Sequence, residues 1–268
     1  MTITQISDEE FKKFADLIYE AAGISMALSK KILVTSRLHS RLQRYQLASF
    51  DEYYQLVVGG QHPREFQRAV DLLTTNETYF FREIKHFQFL QNKILPHHDN
   101  RRFRIWSAAC SSGEEPYSLA MLLADELGKR PWEIDATDIS SRVLSLAQKG
   151  AYPIEAREKI PDDYLIKYCL KGVRSQQGTL LIDKKLRQRV KFRHLNLNGT
   201  WPPRDPYDVI FLRNILIYFD TPTKKKLVDR LAQQLRPGGY LMVGHSESLN
   251  SITNKLKAVQ PSVYQKPV

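Results

Sequence analysis

Through the first 75 residues, apolar positions recur at the three- to four-residue spacing of amphipathic helices. For residues 8–22, Ser7 followed by Glu10 predicts a capping box at the start, and Gly23 predicts a stop. The same arguments predict three further helices, at residues 29–46, from residue 49 to the Gly59-Gly60 pair, and at residues 63–73. We therefore expect residues 1–75 to form an all-helical N-terminal domain.

Beyond residue 102, buried runs of β-branched and aromatic residues alternate with helical stretches. This alternation predicts an α/β fold with a mostly parallel sheet covered on both faces. A hairpin is expected at residues 172–183, a stop and turn at residues 236–239, and an edge strand at residues 263–266. The core strands are predicted at residues 103–109, 132–137, 190–195, 207–212 and 240–244, and the helices at residues 115–127, 140–148 and 221–235.

Residues 104–124 have the pattern of a buried strand, a turn of small residues and a helix. Such a unit commonly cradles a nucleotide-like ligand, although an ordinary βα unit of any α/β domain has the same pattern. Glu114 and Glu115 open the helix, and a helix start crowded with carboxylates is a poor phosphate site. A ligand with hydroxyls and a cationic centre fits better. The pattern therefore favours S-adenosylmethionine over NAD or ATP.

Polar residues follow other predicted strands. Asp138 lies about 25 residues after the small-residue turn, where an acid can bind ribose hydroxyls. Asn196 and Asn214 end two further strands, and ligands of open α/β sheets bind at the carboxyl ends of strands. Each residue alone could equally be a helix cap. Together they predict a ligand site along one edge of the sheet.

The segment between the two halves is rich in hydrogen-bonding and aromatic groups. Residues 74–82 combine three threonines, an asparagine and an arginine with three consecutive aromatics, and a further helix is expected up to Pro96. Functional connectors often have this composition, although a capped helix start with two core phenylalanines would also explain it.

Composition limits the function classes. The 268 residues are 42% hydrophobic and 26% charged, as in soluble globular proteins, and no apolar run approaches the roughly 20 residues of a membrane span. No signal peptide is visible, and two cysteines and seven histidines show no ligand spacing. We expect a cytoplasmic protein without membrane insertion and without a metal.

The net charge of +11 indicates an anionic partner: nucleic acid, membrane surface or acidic protein. Between Glu20 and Asp51 every charge is positive. A basic helix face is therefore expected to dock an acidic partner, although a merely solvated face is common. The face comprises Lys30, Arg37, Arg41 and Arg44.

Taken together, five segments resemble the CheR-type chemotaxis receptor methyltransferases, and the resemblance covers nearly the whole chain. The family usually has Ser-Thr-Gly-Glu-Glu where this chain has Ser-Ser-Gly-Glu-Glu at residues 111–115, a change that keeps the hydroxyl. The matching segments are residues 74–82, 106–117, 136–139, 213–220 and 235–241.

The resemblance implies a class I S-adenosylmethionine-dependent methyltransferase domain (Rossmann-like) at residues 96–268, with a small β-subdomain near residues 170–190. It implies a connector at residues 76–95 that contributes to the cofactor site. The implied reaction is methyl esterification of glutamates on the acidic coiled-coil region of chemotaxis receptors, giving S-adenosylhomocysteine. The enzyme is expected to be a monomer. In some members the β-subdomain binds a receptor tether peptide.

Matching motif positions also imply the site residues. Arg82 is expected to pair with the methionine carboxylate, and Asp138 to hold the ribose. Arg82, Asn214 and Tyr218 are the expected catalytic residues, with Arg213 as a further candidate for orienting the substrate. The expected cofactor-binding residues are Asn76, Thr78, Arg82, Glu114, Glu115, Asp138, Asn196, Leu197, Asn214 and Ile215.

Two alternatives remain open. An RNA or DNA methyltransferase would explain the positive charge through phosphate contacts. However, no Asn-Pro-Pro-Tyr type motif and no basic–aromatic RNA module is visible, so nucleic acid is not expected as a partner. A non-catalytic regulatory module that senses the cofactor is the second alternative, and the intact acid at Asp138 argues against it.

Overall fold

The computed structural model describes residues 5–268. Its first part is a bundle of four helices: α1 (Asp8–Ala22), α2 (Lys31–Tyr45), α3 (Phe50–Val58) and α4 (Pro63–Leu73). Ser7 and Glu10 form the expected capping box, and Gly23 ends α1 with a left-handed φ of 75°. The apolar faces meet in one core around Phe14, Leu38 and Tyr53.

The connector leads into a short helix, α5 (Lys85–Phe89), which continues through a π turn to residue 94. Phe80 and Phe81 are buried in the core of the second domain, so the connector packs on the sheet domain. Phe81 and Glu83 have φ of 53° and 56°, which is unusual for residues with side chains. The chain therefore bends sharply just before α5.

The second part is a seven-stranded sheet flanked by helices. It begins with β1 (Phe103–Ala108), α6 (Glu114–Leu127), β2 (Trp132–Asp138) and α7 (Ser141–Lys149), after which a small subdomain is inserted. It continues with β6 (Val190–His194), β7 (Tyr207–Leu212), α10 (Thr221–Gln234), β8 (Leu235–Val243), β9 (Lys257–Gln260) and β10 (Val263–Gln265). The strand order is β6-β2-β1-β7-β8-β10-β9. All pairs up to β8 are parallel, whereas β10 is antiparallel to both neighbours. The expected mostly parallel α/β sheet is thus confirmed.

The end of the sheet differs from the prediction in two ways. Residues 236–239 do not form a separate turn: β8 already begins at Leu235 and absorbs the glycines as an irregularity, with Gly238 at a φ of 75°. Furthermore, β10 is an inner strand, because the unpredicted β9 pairs with its outer side. Val263 and Tyr264 are buried, which favours this inner place.

A small three-stranded sheet lies between α7 and β6. It consists of β3 (Ala151–Pro153), β4 (Cys169–Lys171) and β5 (Thr179–Ile182) in the order β3-β5-β4, with α8 (Asp162–Tyr168) before β4 and α9 (Lys184–Arg187) after β5. The hairpin prediction placed its first strand too late, since β4 ends at Lys171. The sheet also includes β3, which lies outside the expected residues 170–190. Within the part of the chain that the structure describes, no helix is long and apolar enough to cross a membrane.

Candidate functional site

A cavity of about 340 Å³ opens at the carboxyl ends of β1, β2, β6 and β7. Its walls come from the turn after β1, from the strand ends, from the connector and from the first helical domain. The position agrees with the general rule for open α/β sheets. Of the expected residues, the cavity is lined by Lys30, Arg37, Asn76, Thr78, Arg82, Glu115, Asp138, Asn196, Leu197, Arg213, Asn214, Ile215 and Tyr218.

Asp138 is held in place at the end of β2 by the backbone. One carboxylate oxygen accepts from the N–H of Ser111 at 2.8 Å, and the other accepts from the N–H of Ser140 at 2.9 Å. Burial raises the pKa of Asp138, while these N–H groups oppose that rise. The hydroxyl of Ser111 donates to the carbonyl of Asn76, which ties the small-residue turn to the connector.

Glu115 lines the cavity, whereas its neighbour Glu114 does not. Successive residues of an α-helix point about 100° apart, so only one of the pair can face the ligand side. Glu114 accepts instead from the hydroxyl of Ser112 at 2.7 Å, and burial raises its pKa. The structure therefore does not bring Glu114 to the cavity wall with the other expected cofactor-binding residues.

Arg213 lines the cavity and connects three elements of the fold there. Its side chain is 2% exposed and lies between two carboxylates, donating to Glu115 at 3.0 Å and to Glu83 at 3.1 Å. It also donates to the carbonyl of Arg82. Arg213 is therefore a bridge between the connector, the end of β7 and the start of α6, and it is not a free group for orienting a substrate.

Asn214 has a left-handed φ of 57° and is stabilised by two acids that the sequence analysis did not single out. Its N–H donates to Glu247 at 2.9 Å, and its side-chain amide donates to Glu83 at 3.2 Å. Glu247 is buried and also accepts from the N–H groups of Gly244 at 2.6 Å and Ile217 at 3.3 Å. No local pattern marks Glu247, because its partners lie 30 and 33 residues earlier as well as three residues earlier.

The side chains of Asn196 and Arg82 differ in the contacts that hold them within the protein. The side-chain amide of Asn196 donates to the carbonyl of Ala21 and accepts from the N–H of Asn198, so it joins the two domains. The guanidinium of Arg82 donates to the carbonyl of Glu77 at 2.9 Å. It has no carboxylate partner within residues 5–268, and it faces the cavity as a half-buried cation.

The expected basic face of α2 does not exist as one surface. Arg41 is buried and forms a bidentate pair with Glu65 at 2.6 and 2.7 Å, and the hydroxyls of Tyr53 and Tyr45 donate to the same carboxylate. Arg37 turns towards the cavity and donates to the carbonyls of Leu73 and Thr74.

Of the four expected docking residues, only Lys30 and Arg44 are exposed, and they lie apart. Lys30 lines the main cavity, whereas Arg44 lines a separate groove with Arg64 and Arg68. Arg41 is excluded as a docking residue because its charge is buried and neutralised. No local sequence pattern indicates this pairing, because Glu65 lies 24 residues away on another helix.

Comparison with known proteins agrees with this architecture. Residues 9–74 match the family model "CheR methyltransferase, all-alpha domain", and residues 76–265 match "CheR methyltransferase, SAM binding domain". The chain is 41% identical over 262 residues to "Chemotaxis protein methyltransferase 2" of Pseudomonas aeruginosa, covering 96% of this chain and 92% of that protein. It is 38% identical over 265 residues to "Chemotaxis protein methyltransferase" of Escherichia coli K12, covering 97% and 91%. With both domain models matched in order, the chain belongs to the CheR methyltransferase family, and the resemblance of its sequence motifs to that family is confirmed.

Proposed function

We propose that this protein transfers a methyl group from S-adenosylmethionine to glutamate side chains on the cytoplasmic helices of chemotaxis receptors. The observation that carries the proposal is the cavity itself. It brings the acids Asp138 and Glu115 and the unpaired cation Arg82 together at the strand ends. This set complements a ligand with hydroxyls, an ammonium and a carboxylate, and the family relatives are named chemotaxis protein methyltransferases.

The chain's own residues divide the binding of the cofactor among them. Asp138 accepts from the ribose hydroxyls, because its two oxygens retain lone pairs beyond the backbone contacts. Arg82 pairs with the methionine carboxylate, and Glu115 faces the ammonium. Asn76, Thr78, Leu197 and Ile215 complete the walls. When bound, the cofactor supplies an electrophilic methyl group on a sulfonium.

The reaction needs no general base. A glutamate carboxylate with an ordinary pKa near 4.3 is already ionised at neutral pH. The protein's task is to exclude water and to hold the acceptor in line at about 3 Å. Asn214 and Tyr218 are the polar groups that line the cavity after β7, and we assign the orientation of the acceptor carboxylate to them.

Positive residues at the cavity attract the acidic acceptor. Lys30 and Arg37 both line it, and both come from the helical domain. We assign the approach of the receptor helix to these two residues, with Arg44 as an outlying contact. Arg41 has no part in this step. A cytoplasmic location and a monomeric state accompany this proposal as predictions.

One assay tests the reaction class. Methyl-labelled cofactor is incubated with the protein and with receptor-containing membranes, and the label is then released by mild base. We expect base-labile label in the receptor band, because carboxyl methyl esters hydrolyse readily. Label in added RNA or DNA but not in the receptor would contradict the proposal in favour of the nucleic-acid alternative. Binding of the cofactor in calorimetry without any transfer would favour the non-catalytic module.

A further inference from the structure

Three potential metal ligands meet beside the connector, outside the main cavity. Glu83 comes from the bend before α5, His86 from α5 itself, and His245 from the loop after β8. One ligand atom of each lies within 4.8 Å of the others. Nδ1 of His86 lies 3.5 Å from an oxygen of Glu83. The ligands are far apart in sequence, which explains why no ligand spacing was visible there.

His86 is oriented by a hydrogen bond on its other ring nitrogen. The side chain is 1% exposed, and Nε2 lies 2.7 Å from the hydroxyl of Ser262. That hydroxyl donates to the carbonyl of Pro261 at 2.6 Å, so it accepts from Nε2. This arrangement assigns the ring proton to Nε2 and the lone pair to Nδ1. Metal-binding histidines typically have such a partner on the second nitrogen.

Nδ1 of His86 is left without a hydrogen-bond partner among the described residues. A buried unsatisfied polar atom costs about 1–3 kcal/mol. A carboxylate oxygen of Glu83, which is also an acceptor, lies 3.5 Å from this nitrogen. Two acceptors that face each other at 3.5 Å are stabilised by a cation between them. A cation bound between Nδ1 of His86 and the Glu83 carboxylate would satisfy both acceptors.

Glu83 is able to shift towards such a cation. It accepts four hydrogen bonds, from Arg213 at 3.1 and 3.3 Å, from the amide of Asn214 at 3.2 Å and from the N–H of His245 at 3.2 Å. All four lie at the long end of the usual range or beyond it. A bound cation would therefore take the place of one or more of these contacts to the carboxylate.

The charge of the surroundings is compatible with a cation. Arg213 contacts Glu83, but Glu115 neutralises Arg213 from the other side. Arg213, Glu83 and Glu115 together carry one net negative charge. His245 is exposed and reaches the site from the solvent side, with its ring 4.9 Å from that of His86. Solvent can therefore enter and fill the remaining coordination positions.

We propose that Glu83, His86 and His245 bind one divalent cation of the zinc class. Two imidazoles and one carboxylate suit Zn²⁺, Co²⁺ and Ni²⁺, whereas Mg²⁺ and Ca²⁺ prefer oxygen ligands throughout. The site lies behind the Arg213 bridge, next to the expected cofactor cavity and separate from it. Methyl transfer does not depend on it chemically.

Titration of the metal-free full-length protein with Co²⁺ tests the site, with visible absorption and calorimetry as readouts and Zn²⁺ as competitor. We expect one Co²⁺ per chain, displaced by Zn²⁺. His245→Gln should weaken binding roughly tenfold or more, since it removes a ligand at an exposed position without disturbing the core. His97→Gln, at another exposed histidine, is the matched control and should bind as the wild type does.

The proposal is overturned if the wild type shows no saturable binding. It is equally overturned if His245→Gln binds like the wild type, or if His97→Gln loses binding as strongly. His86→Gln serves as a second variant, and circular dichroism verifies its fold. Its loss of binding in a folded protein would support the site from the buried side.

Discussion

At the scale of single residues, buried carboxylates position the loops of the cavity. Asp138 accepts N–H groups from the turn after β1 and from the start of α7, and Glu247 accepts two N–H groups from the loop after β7 and one from Gly244 after β8. Both acids satisfy backbone donors that would otherwise be buried without partners. Because Asp138 lies in the proposed cofactor site and Glu247 supports the loop that carries Asn214, we expect their loss to affect cofactor binding and methyl transfer, respectively.

Asp138→Asn should weaken binding of S-adenosylhomocysteine by roughly 10- to 100-fold, because charge-assisted hydrogen bonds contribute about 1.5–3 kcal/mol. Calorimetry measures the change directly. Glu114→Gln is the matched control, since Glu114 points away from the cavity, and it should bind normally. An unchanged affinity of Asp138→Asn would exclude this acid from the cofactor site.

Glu247→Gln should lower kcat roughly tenfold and reduce the affinity for the cofactor by a smaller factor, because Ile215 lies in the same loop. An amide in place of the carboxylate turns one acceptor into a donor that faces N–H groups, so Asn214 and the loop shift. Receptor methylation measured with saturating cofactor tests this. Glu155→Gln, at an exposed acid, should keep wild-type rates. An equal loss of cofactor affinity would indicate general disruption of the site instead.

At the scale of elements, the pair of Arg41 and Glu65 joins α2 to α4 inside the helical domain. Burial by itself raises the pKa of Glu65, but hydrogen bonds from Arg41, Tyr53 and Tyr45 lower it below the ordinary value of 4.5. A carboxyl group whose pKa is lower in the folded state stabilises the protein at pH values above its unfolded pKa. This stabilisation is lost as the pH falls through the folded pKa. This contact therefore supports the fold at neutral pH and weakens in acid.

Arg41→Met should lower the free energy of unfolding by about 3–5 kcal/mol at pH 7, because it leaves a buried carboxylate without its counter-charge. Urea denaturation gives the value. Arg44→Met removes a charge from the same helix at an exposed position and should change stability by less than about 0.5 kcal/mol. The deficit of Arg41→Met should shrink as the pH falls below 4.5. A deficit independent of pH would contradict the electrostatic explanation.

At the scale of the whole molecule, the cavity belongs to both domains. The N–H of Ser25 donates to the carbonyl of Tyr218 at 2.8 Å, and the hydroxyl of Tyr19 donates to Asp220 at 2.8 Å. Asn196 adds a contact to the end of α1. A ligand in the cavity therefore contacts the helical domain, the connector and the sheet together, and its binding should stabilise all three.

S-adenosylhomocysteine at about 100 times its Kd should stabilise the protein by about 2.7 kcal/mol. For a chain of this size the gain corresponds to a rise in Tm of roughly 5–10 °C. Thermal denaturation followed by circular dichroism measures it. ATP at the same concentration should give no comparable rise, because the acids at the start of α6 disfavour phosphate. A comparable rise with ATP would refute the ligand class derived from Glu114 and Glu115.

The sequence by itself determined the local elements, the family and most of the cavity. Helix caps such as Ser7 and Gly23 act within one turn, and the carboxyl ends of parallel strands always meet at one edge of the sheet. Asp138 and Asn214 could therefore be placed together without a structure. The resemblance in motifs added the connector, which belongs to the same cavity in the structure.

Only the tertiary structure decided which charges face a ligand and which face each other. Arg41 and Glu65, or Arg213 and Glu83, are 24 and 130 residues apart, and nothing in their local patterns indicates the partner. The order of β9 and β10 in the sheet is also decided by tertiary packing, because the strand that buries its apolar side chains takes the inner position. A charge on a helix face has the same sequence pattern whether it meets solvent or a distant carboxylate. Long-range packing alone distinguishes the two, because it fixes the distances on which charge pairing depends.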